Sequence, residues 1–170
     1  MNALKTIVTK IEFLSEWSGR LFSVTILIQL LLSCYEVFTR RVLGAPTIWT
    51  HEILGYVFCA SVMLTMGYTQ LHNGHANVDL LSENFSPRTK SLVNVLTFFV
   101  FLGFFATVFL LDGIKFAATS WAMGERTSTA FNPIVYPAKT LLPVGFFLLL
   151  MQGVADLIKD LVFLVKGERI

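Results

Sequence analysis

Long apolar runs separated by short polar stretches set the pattern of this 170-residue chain. A helix needs about 20 apolar residues to cross a bilayer core of about 30 Å, and the runs are long enough to do so. They predict four membrane-spanning helices, at about 19–42, 48–71, 88–111 and 137–164. The predicted fold class is therefore an all-α membrane protein of a single domain, with short interfacial helical segments beside the spans.

A different pattern precedes the first span. Ile7, Ile11, Leu14 and Trp17 recur at helical spacing, with charged residues between them. This amphipathic pattern is typical of a helix that lies on the membrane surface. It predicts an N-terminal amphipathic helix at about 3–18.

Tryptophans and basic residues indicate how the spans sit in the membrane. Tryptophan is enriched at the membrane–water boundary, which makes Trp17, Trp49 and Trp121 candidate interface anchors. With four spans, eight of the 13 Lys and Arg residues lie on the side of the termini and five on the other side. The positive-inside rule then places both termini in the cytoplasm.

Composition supports a membrane protein and argues against several function classes. Hydrophobic residues make up 55% of the chain and charged residues 14%, against about 25% charged residues in soluble domains. The net charge of +2 and the scattered basic residues predict no nucleic-acid partner. No nucleophile with a base, phosphate-binding loop or pair of carboxylates stands out, so the chain is not predicted to be an enzyme.

Polar residues interrupt the first span along one face. Gln29, Ser33, Glu36 and Arg40 follow one another at steps of four, three and four residues, which places them on one side of a helix. Polar side chains are costly in lipid, so this stripe is expected to face protein. Arg40 is expected to pair with Glu36 on its own helix or with Glu52 across the following turn. A solvated cluster at the level of the lipid headgroups is the alternative.

The histidines admit two interpretations. His72, His75 and Asp79 follow the second span and have side chains that can bind a metal ion, but a capped turn accounts for the same residues. Haem ligation requires histidines that face each other on different helices, and His51 lies at the other end of the span. No metal and no cofactor is predicted in this chain.

An ordered set of residues resembles a known family. In chain order the set is Arg40, Trp49-x2-Glu52, Gly67, His75-x2-Val78-Asp79 and Pro143-x-Gly145. Together these residues resemble the small membrane subunit, or Q subunit, of tripartite ATP-independent periplasmic (TRAP) transporters. The resemblance extends from about Val37 to Gly153. The chain departs from that family at His51, where members usually carry an acidic residue.

The resemblance implies a scaffold role in the bacterial inner membrane. Such a subunit braces a large elevator-type membrane subunit, which holds the substrate and sodium ions, and helps to receive a periplasmic substrate-binding protein. The complex imports an organic acid and is driven by a sodium gradient. The residues expected at subunit contacts or structural positions are Glu36, Arg40, Trp49, Glu52, Gly67, His75, Asp79, Pro143 and Gly145.

A second function class also fits the residues. An unrelated four-span protein acting alone, such as a small channel, or an accessory subunit of another membrane complex would show the same spans. A complete carrier is not expected, because the chain lacks the repeated halves that build a substrate site at the middle of the membrane.

Overall fold

The computed structural model describes residues 2–72, 74 and 85–167. The helices in this part of the chain are α1 (Asn2–Arg41), α2 (Thr50–Leu64), α3 (Met66–Leu71), α4 (Pro87–Thr97), a π-helical segment (Phe98–Leu102), α5 (Gly103–Met123) and α6 (Tyr136–Lys166). The β-type pairing within it is an isolated bridge between Arg126 and Ile134. The predicted all-α class is confirmed.

Among the described residues, three helical stretches are long and apolar enough to cross a membrane. They are Leu4–Arg41, Pro87–Met123 and Tyr136–Lys166. The second predicted span is instead divided, because Thr65 interrupts the helix between α2 and α3. Thr65 Oγ1 donates a 2.7 Å hydrogen bond to the carbonyl oxygen of Ser61, a bond that competes with the helical backbone pattern. α2 is an apolar helix of only 15 residues, so the count of four spans stays a prediction.

α1 is one continuous helix of 40 residues, about 60 Å long at 1.5 Å per residue. The helix has no break between the surface helix predicted at 3–18 and the span predicted at 19–42. Gly19 lies at this predicted boundary, where it lets α1 approach the Tyr68 ring directly. The separate amphipathic helix is therefore not seen as an element of its own.

α6 is the central helix, and every other helix contacts it. α1 also packs on α2 and α3. Glu12 in α1 pairs with Lys159 in α6 at 2.5 Å, which brings the two ends of the chain to one end of the bundle. We call this the inner end, after the predicted orientation. At the opposite, outer end the rings of Tyr35 and Trp49 lie 5.9 Å apart.

Glycines occupy the points where helices cross most closely. A Cβ atom at Gly145 would lie 2.7 Å from the Met63 carbonyl oxygen, and one at Gly67 would lie 3.2 Å from the backbone of α6. A Cβ atom at Gly113 would lie 3.3 Å from the Pro143 nitrogen. Small residues let helix backbones approach in a membrane, so these glycines set how α2, α3 and α5 pack on α6.

α5 extends beyond the end of the third predicted span. That span is predicted to end near residue 111, but the helix continues to Met123. Charged residues end the apolar run before the helix itself ends. Gly124 terminates α5 in the left-handed conformation, with φ of 58°. Residues 124–135, which we call the outer loop, connect α5 to α6.

Candidate functional site: polar clusters at the two ends of the bundle

A hydrogen-bonded cluster joins three helices at the inner end. Ser15 Oγ in α1 donates to Gln152 Oε1 in α6 at 2.8 Å, and both residues are buried. Gln152 Nε2 donates to Asp156 Oδ1 at 3.2 Å, and Gln70 Nε2 in α3 donates to Asp156 Oδ2 at 3.3 Å. Gln152 has no exposed surface, so its amide depends on these partners. The inner network comprises Glu12, Ser15, Gln70, Gln152, Asp156 and Lys159.

Three charges complete the inner network. Lys159 Nζ lies 2.5 Å from Glu12 Oε1 and 3.0 Å from Asp156 Oδ1. The Glu12 side chain is 32% exposed and the other two are 29% exposed, so water screens these ions only in part. Removal of one ion from such a group leaves its partners uncompensated, which is costly. The inner network therefore holds both α1 and α3 on α6.

His72, which directly follows α3, contacts α1 beside the inner network. His72 Nε2 lies 2.9 Å from Glu16 Oε2, and Glu16 Oε1 accepts a hydrogen bond from Arg20 Nε at 2.8 Å. The structure thus gives His72 a carboxylate partner. The other two candidate metal ligands, His75 and Asp79, lie outside the described residues. Within residues 2–72, 74 and 85–167 no three His, Cys, Asp or Glu side chains form a metal-binding group.

Glu36 is the centre of a cluster at the outer end. Arg40 Nη2 lies 2.6 Å from Glu36 Oε1, and the Thr47 hydroxyl donates to the other carboxylate oxygen of Glu36. The Thr47 hydroxyl also bonds the buried Thr50 hydroxyl. Arg40 pairs with Glu36, not with Glu52 across the turn. A spacing of four residues on one helix brings the two ions together without any contact between helices.

The outer loop is held against three helices. Glu125 Oε2 lies 2.5 Å from Lys139 Nζ in α6, and Lys139 Nζ lies 4.0 Å from the centre of the Phe116 ring in α5. The hydrogen bond from Lys139 holds the pKa of the Glu125 carboxyl below its usual value. The Tyr56 hydroxyl in α2 donates to the Ile134 carbonyl oxygen at 3.0 Å. The backbone N–H of Glu125 donates to the Ser120 carbonyl oxygen in α5 at 3.1 Å. The loop is therefore tied to α2, α5 and α6.

The family-motif residues within the described part of the chain do not form one site. Gly67, Pro143 and Gly145 are buried at the helix crossings around α6. Trp49 instead lies beside the Tyr35 ring at the outer end. This separation favours structural roles for these residues over a shared binding site.

The other two candidate interface anchors are exposed at opposite ends. Trp17 is 54% exposed near the inner end, and Trp121 is 55% exposed near the outer end. Trp121 Nε1 donates to Thr140 Oγ1 at 2.9 Å, so its polar edge has a protein partner. An anchoring role for these tryptophans stays a prediction.

Most of the inner network was not predicted from the sequence. Gln152 and Asp156 share an inward-facing stripe of the last span, but Glu12 and Lys159 are far apart in the chain. The sequence nevertheless indicates that one side of α1 is buried. Ser15, Ser18 and Gly19 are small residues at helical spacing, and all three are buried.

Comparison with known families gives the chain an identity. Residues 29–163 match the family model described as tripartite ATP-independent periplasmic transporters, DctQ component. The matched region holds the outer cluster, the outer loop and the α3 and α6 parts of the inner network. No curated protein and no solved structure matches the chain. The chain belongs to the DctQ family and is the small membrane component of a tripartite ATP-independent periplasmic transporter.

Proposed function

We propose that this subunit is the scaffold of its transporter. It braces the large elevator-type membrane subunit in the inner membrane while that subunit carries the substrate across. It also helps to receive the periplasmic substrate-binding protein. In this proposal the substrate is an organic acid, a sodium gradient drives uptake, and both termini lie in the cytoplasm.

The observation that carries the proposal is the exposure of the apolar helices. The most apolar stretch of α1 has none of its residues buried, and that of Pro87–Met123 has 6% buried. Leu31 in α1 is 69% exposed, and Phe99 in the π-helical segment is 63% exposed. Lipid covers such surface, and so does a partner protein that packs on it. A subunit that buries so little of its own apolar surface is suited to stand between a partner and the bilayer.

α1 is the helix that we assign to the large subunit. Gln29 lies nine residues after Arg20 and seven before Glu36, so it is about 10 Å along the helix from the nearer charged residue. Gln29 and Ser33 make no side-chain hydrogen bond within the described residues, and both retain exposed surface. A polar group without a partner is unfavourable in the middle of a bilayer. A hydrogen-bonding group on a helix of the large subunit would satisfy it.

The opposite assignment applies to the face of α5 and the π-helical segment. Its exposed side chains include Phe101 and Phe104, which are 59% and 60% exposed. Thr107, on the same helix, already donates to the Gly103 carbonyl oxygen at 2.7 Å. An apolar face whose hydroxyl is satisfied internally is suited to lipid, so we assign it to the bilayer.

Substrate and sodium ions are assigned to the large subunit. A groove of about 890 Å³ is lined by residues of α1, and a groove of about 400 Å³ is lined by residues of α1 and by Val42 directly after it. Substrate sites of secondary transporters instead lie near the middle of the membrane, where discontinuous helices meet. Neither groove has that architecture.

The outer loop is the surface that we assign to the binding protein. It is held by contacts to three helices, among them the 2.5 Å ion pair between Glu125 and Lys139. In the predicted orientation this loop faces the periplasm. A loop that is already ordered can bind a soluble partner without losing further conformational entropy.

Reconstitution tests the scaffold role. The chain is purified alone and together with its large subunit. Both samples are reconstituted in liposomes with an inwardly directed sodium gradient. We expect the two subunits to co-purify, and sodium-dependent uptake of an organic acid to require the large subunit and the binding protein. Uptake by the single chain, or failure of the two subunits to associate, would contradict the proposal.

A further inference from the structure

A groove at the inner end of α1 has the features of a lipid site. Its volume is about 890 Å³, and its lining is Lys5, Thr6, Thr9, Lys10, Phe13 and Leu14. Val8 and Ser15 on the same helix are buried, and Ser15 bonds Gln152 of α6. The groove therefore lies on a side of α1 that the bundle leaves open.

The charge of this surface is positive because its acidic neighbours are occupied. Glu12 is paired with Lys159, and Glu16 is paired with both Arg20 and His72. Lys5 and Lys10 form no ion pair with any acidic residue in the described part of the chain, and both are exposed. Two ammonium groups thus border an apolar groove without a carboxylate to neutralise them.

The depth of the groove matches a lipid headgroup. Glu12 is level with Lys159, its partner, which is one of the charged residues that interrupt the apolar sequence of α6 toward its C-terminal end. Lys10 and Lys5 are two and seven residues closer to the N-terminus, or about 3 and 10 Å along the helix. Phe13 lies on the other side of Glu12, closer to the apolar core, and is 71% exposed. The aromatic ring thus lies at the level of the acyl chains, and the lysines lie at the level of the phosphate groups. This is the order of apolar and charged groups in a bilayer leaflet.

We propose that this groove binds an anionic phospholipid. The ammonium groups of Lys5 and Lys10 hold its charged headgroup, and Phe13 and Leu14 contact the upper part of an acyl chain. Because the inner network clamps α1 to α6, the lipid meets a helix that already has a fixed position. The site is independent of the scaffold role, since it is formed by this chain alone.

Fluorescence quenching by brominated lipids tests the site. The full chain carries three tryptophans, so Trp49→Phe and Trp121→Phe leave Trp17, one turn from Phe13, as the reporter. The variant is reconstituted in phosphatidylcholine that contains either brominated phosphatidylglycerol or an equal amount of brominated phosphatidylcholine. We expect stronger quenching by the anionic lipid, with a preference of up to about fivefold for each lysine in contact. Added salt should reduce this preference.

The double change Lys5→Gln with Lys10→Gln should abolish the preference for the anionic lipid. Lys115→Gln is the matched control, because Lys115 is an exposed lysine beyond the outer end of the apolar run of α5. It should leave quenching of Trp17 unchanged. Equal quenching by the two lipids in the protein that retains Lys5 and Lys10 would overturn the proposal. Persistence of the preference after the double change would overturn it as well, because the headgroup would then be held elsewhere.

Discussion

The most apolar stretches of α6 and α1 have almost the same mean hydropathy, 2.0 and 1.9, yet they are buried to different extents. In α6, 28% of the most apolar stretch is buried, whereas none of the corresponding stretch of α1 is. The difference lies in small and polar residues: Gly145, Gln152 and Gly153 of α6 are all buried at contacts with other helices. Apolar content predicts that a helix enters a membrane, but small and hydrogen-bonding residues decide which helix becomes the centre of the bundle.

The largest expected effect comes from the charge that fixes α6 to α1. Lys159→Met removes the ammonium group between Glu12 and Asp156 and leaves two partly buried carboxylates without a cation. We expect a loss of about 2–4 kcal/mol in the free energy of unfolding in detergent, near the range for a broken buried pair. Lys115→Met is the control, because the Lys115–Asp112 pair is 79% and 67% exposed. Equal stability of the two variants would show that the inner network does not hold the bundle.

Close packing of α6 on α2 gives the next effect. In Gly145→Ala the new methyl group would lie 2.7 Å from a backbone oxygen of α2, which cannot move aside as a side chain can. We expect a destabilisation of about 1–3 kcal/mol, as for other overpacked sites. Gly55→Ala provides the comparison, since a Cβ atom there has nothing within 4 Å. That variant should match or exceed the stability of the unaltered chain, because alanine favours a helix by up to about 1 kcal/mol over glycine. Thermal unfolding of both variants measures this difference. A lower stability of Gly55→Ala than of Gly145→Ala would contradict this account.

A smaller effect concerns the outer end of α1. Arg40→Glu places like charges next to each other on the helix, and the second change Glu36→Arg restores an opposite pair at the same spacing. We expect the single change to cost about 1 kcal/mol or less, because Arg40 is exposed and ion pairs along a helix are weak. The double change should recover part of this stability, limited by the lost bond from Thr47 to Glu36. Combining Arg40→Glu with Glu52→Arg should recover none of it. Rescue by the Glu52 change would mean that Arg40 pairs across the turn after all.

The weakest effect is an acid-dependent contribution of the outer loop where it meets α6. The pKa of Glu125 is lowered from its usual 4.5 in the folded protein by the hydrogen bond from Lys139. Its pairing therefore stabilises the fold at pH values above the unfolded pKa, and this contribution is lost as the pH falls through the lower folded pKa. Glu125→Gln should lower stability at neutral pH, and the difference from the unaltered chain should shrink in acid. Unfolding curves at neutral and acidic pH measure this, and a difference that grew in acid would contradict the sign.

Three of the four predicted spans fall on long apolar helices of the structure, because hydropathy is a local property of each run. Gly145, Gln152 and Asp156 lie at helical spacing on one side of α6, and the structure turns that side inward. The sequence could not predict that α1 is continuous, because Glu12 and Glu16 look like the polar side of a surface helix. Their partners Lys159 and His72 become visible only when distant parts of the chain are brought together.

The pairing of Arg40 shows a different limit of sequence reasoning. Glu36 and Glu52 were both compatible partners, and the geometry of the turn between α1 and α2 decides between them. Side-chain spacing along one helix is known from the sequence, whereas the distance across a turn is not.

The most direct test of the scaffold account is photo-crosslinking in the intact transporter. A photoreactive amino acid is placed at Ser33 on α1 or at Phe101 beside α5, both of which are exposed. We predict that the probe at Ser33 crosslinks to the large subunit and that the probe at Phe101 labels lipid. Crosslinking to the large subunit from Phe101, with none from Ser33, would contradict the assignment of faces. A transporter that assembles and transports with neither position near the large subunit would contradict it equally.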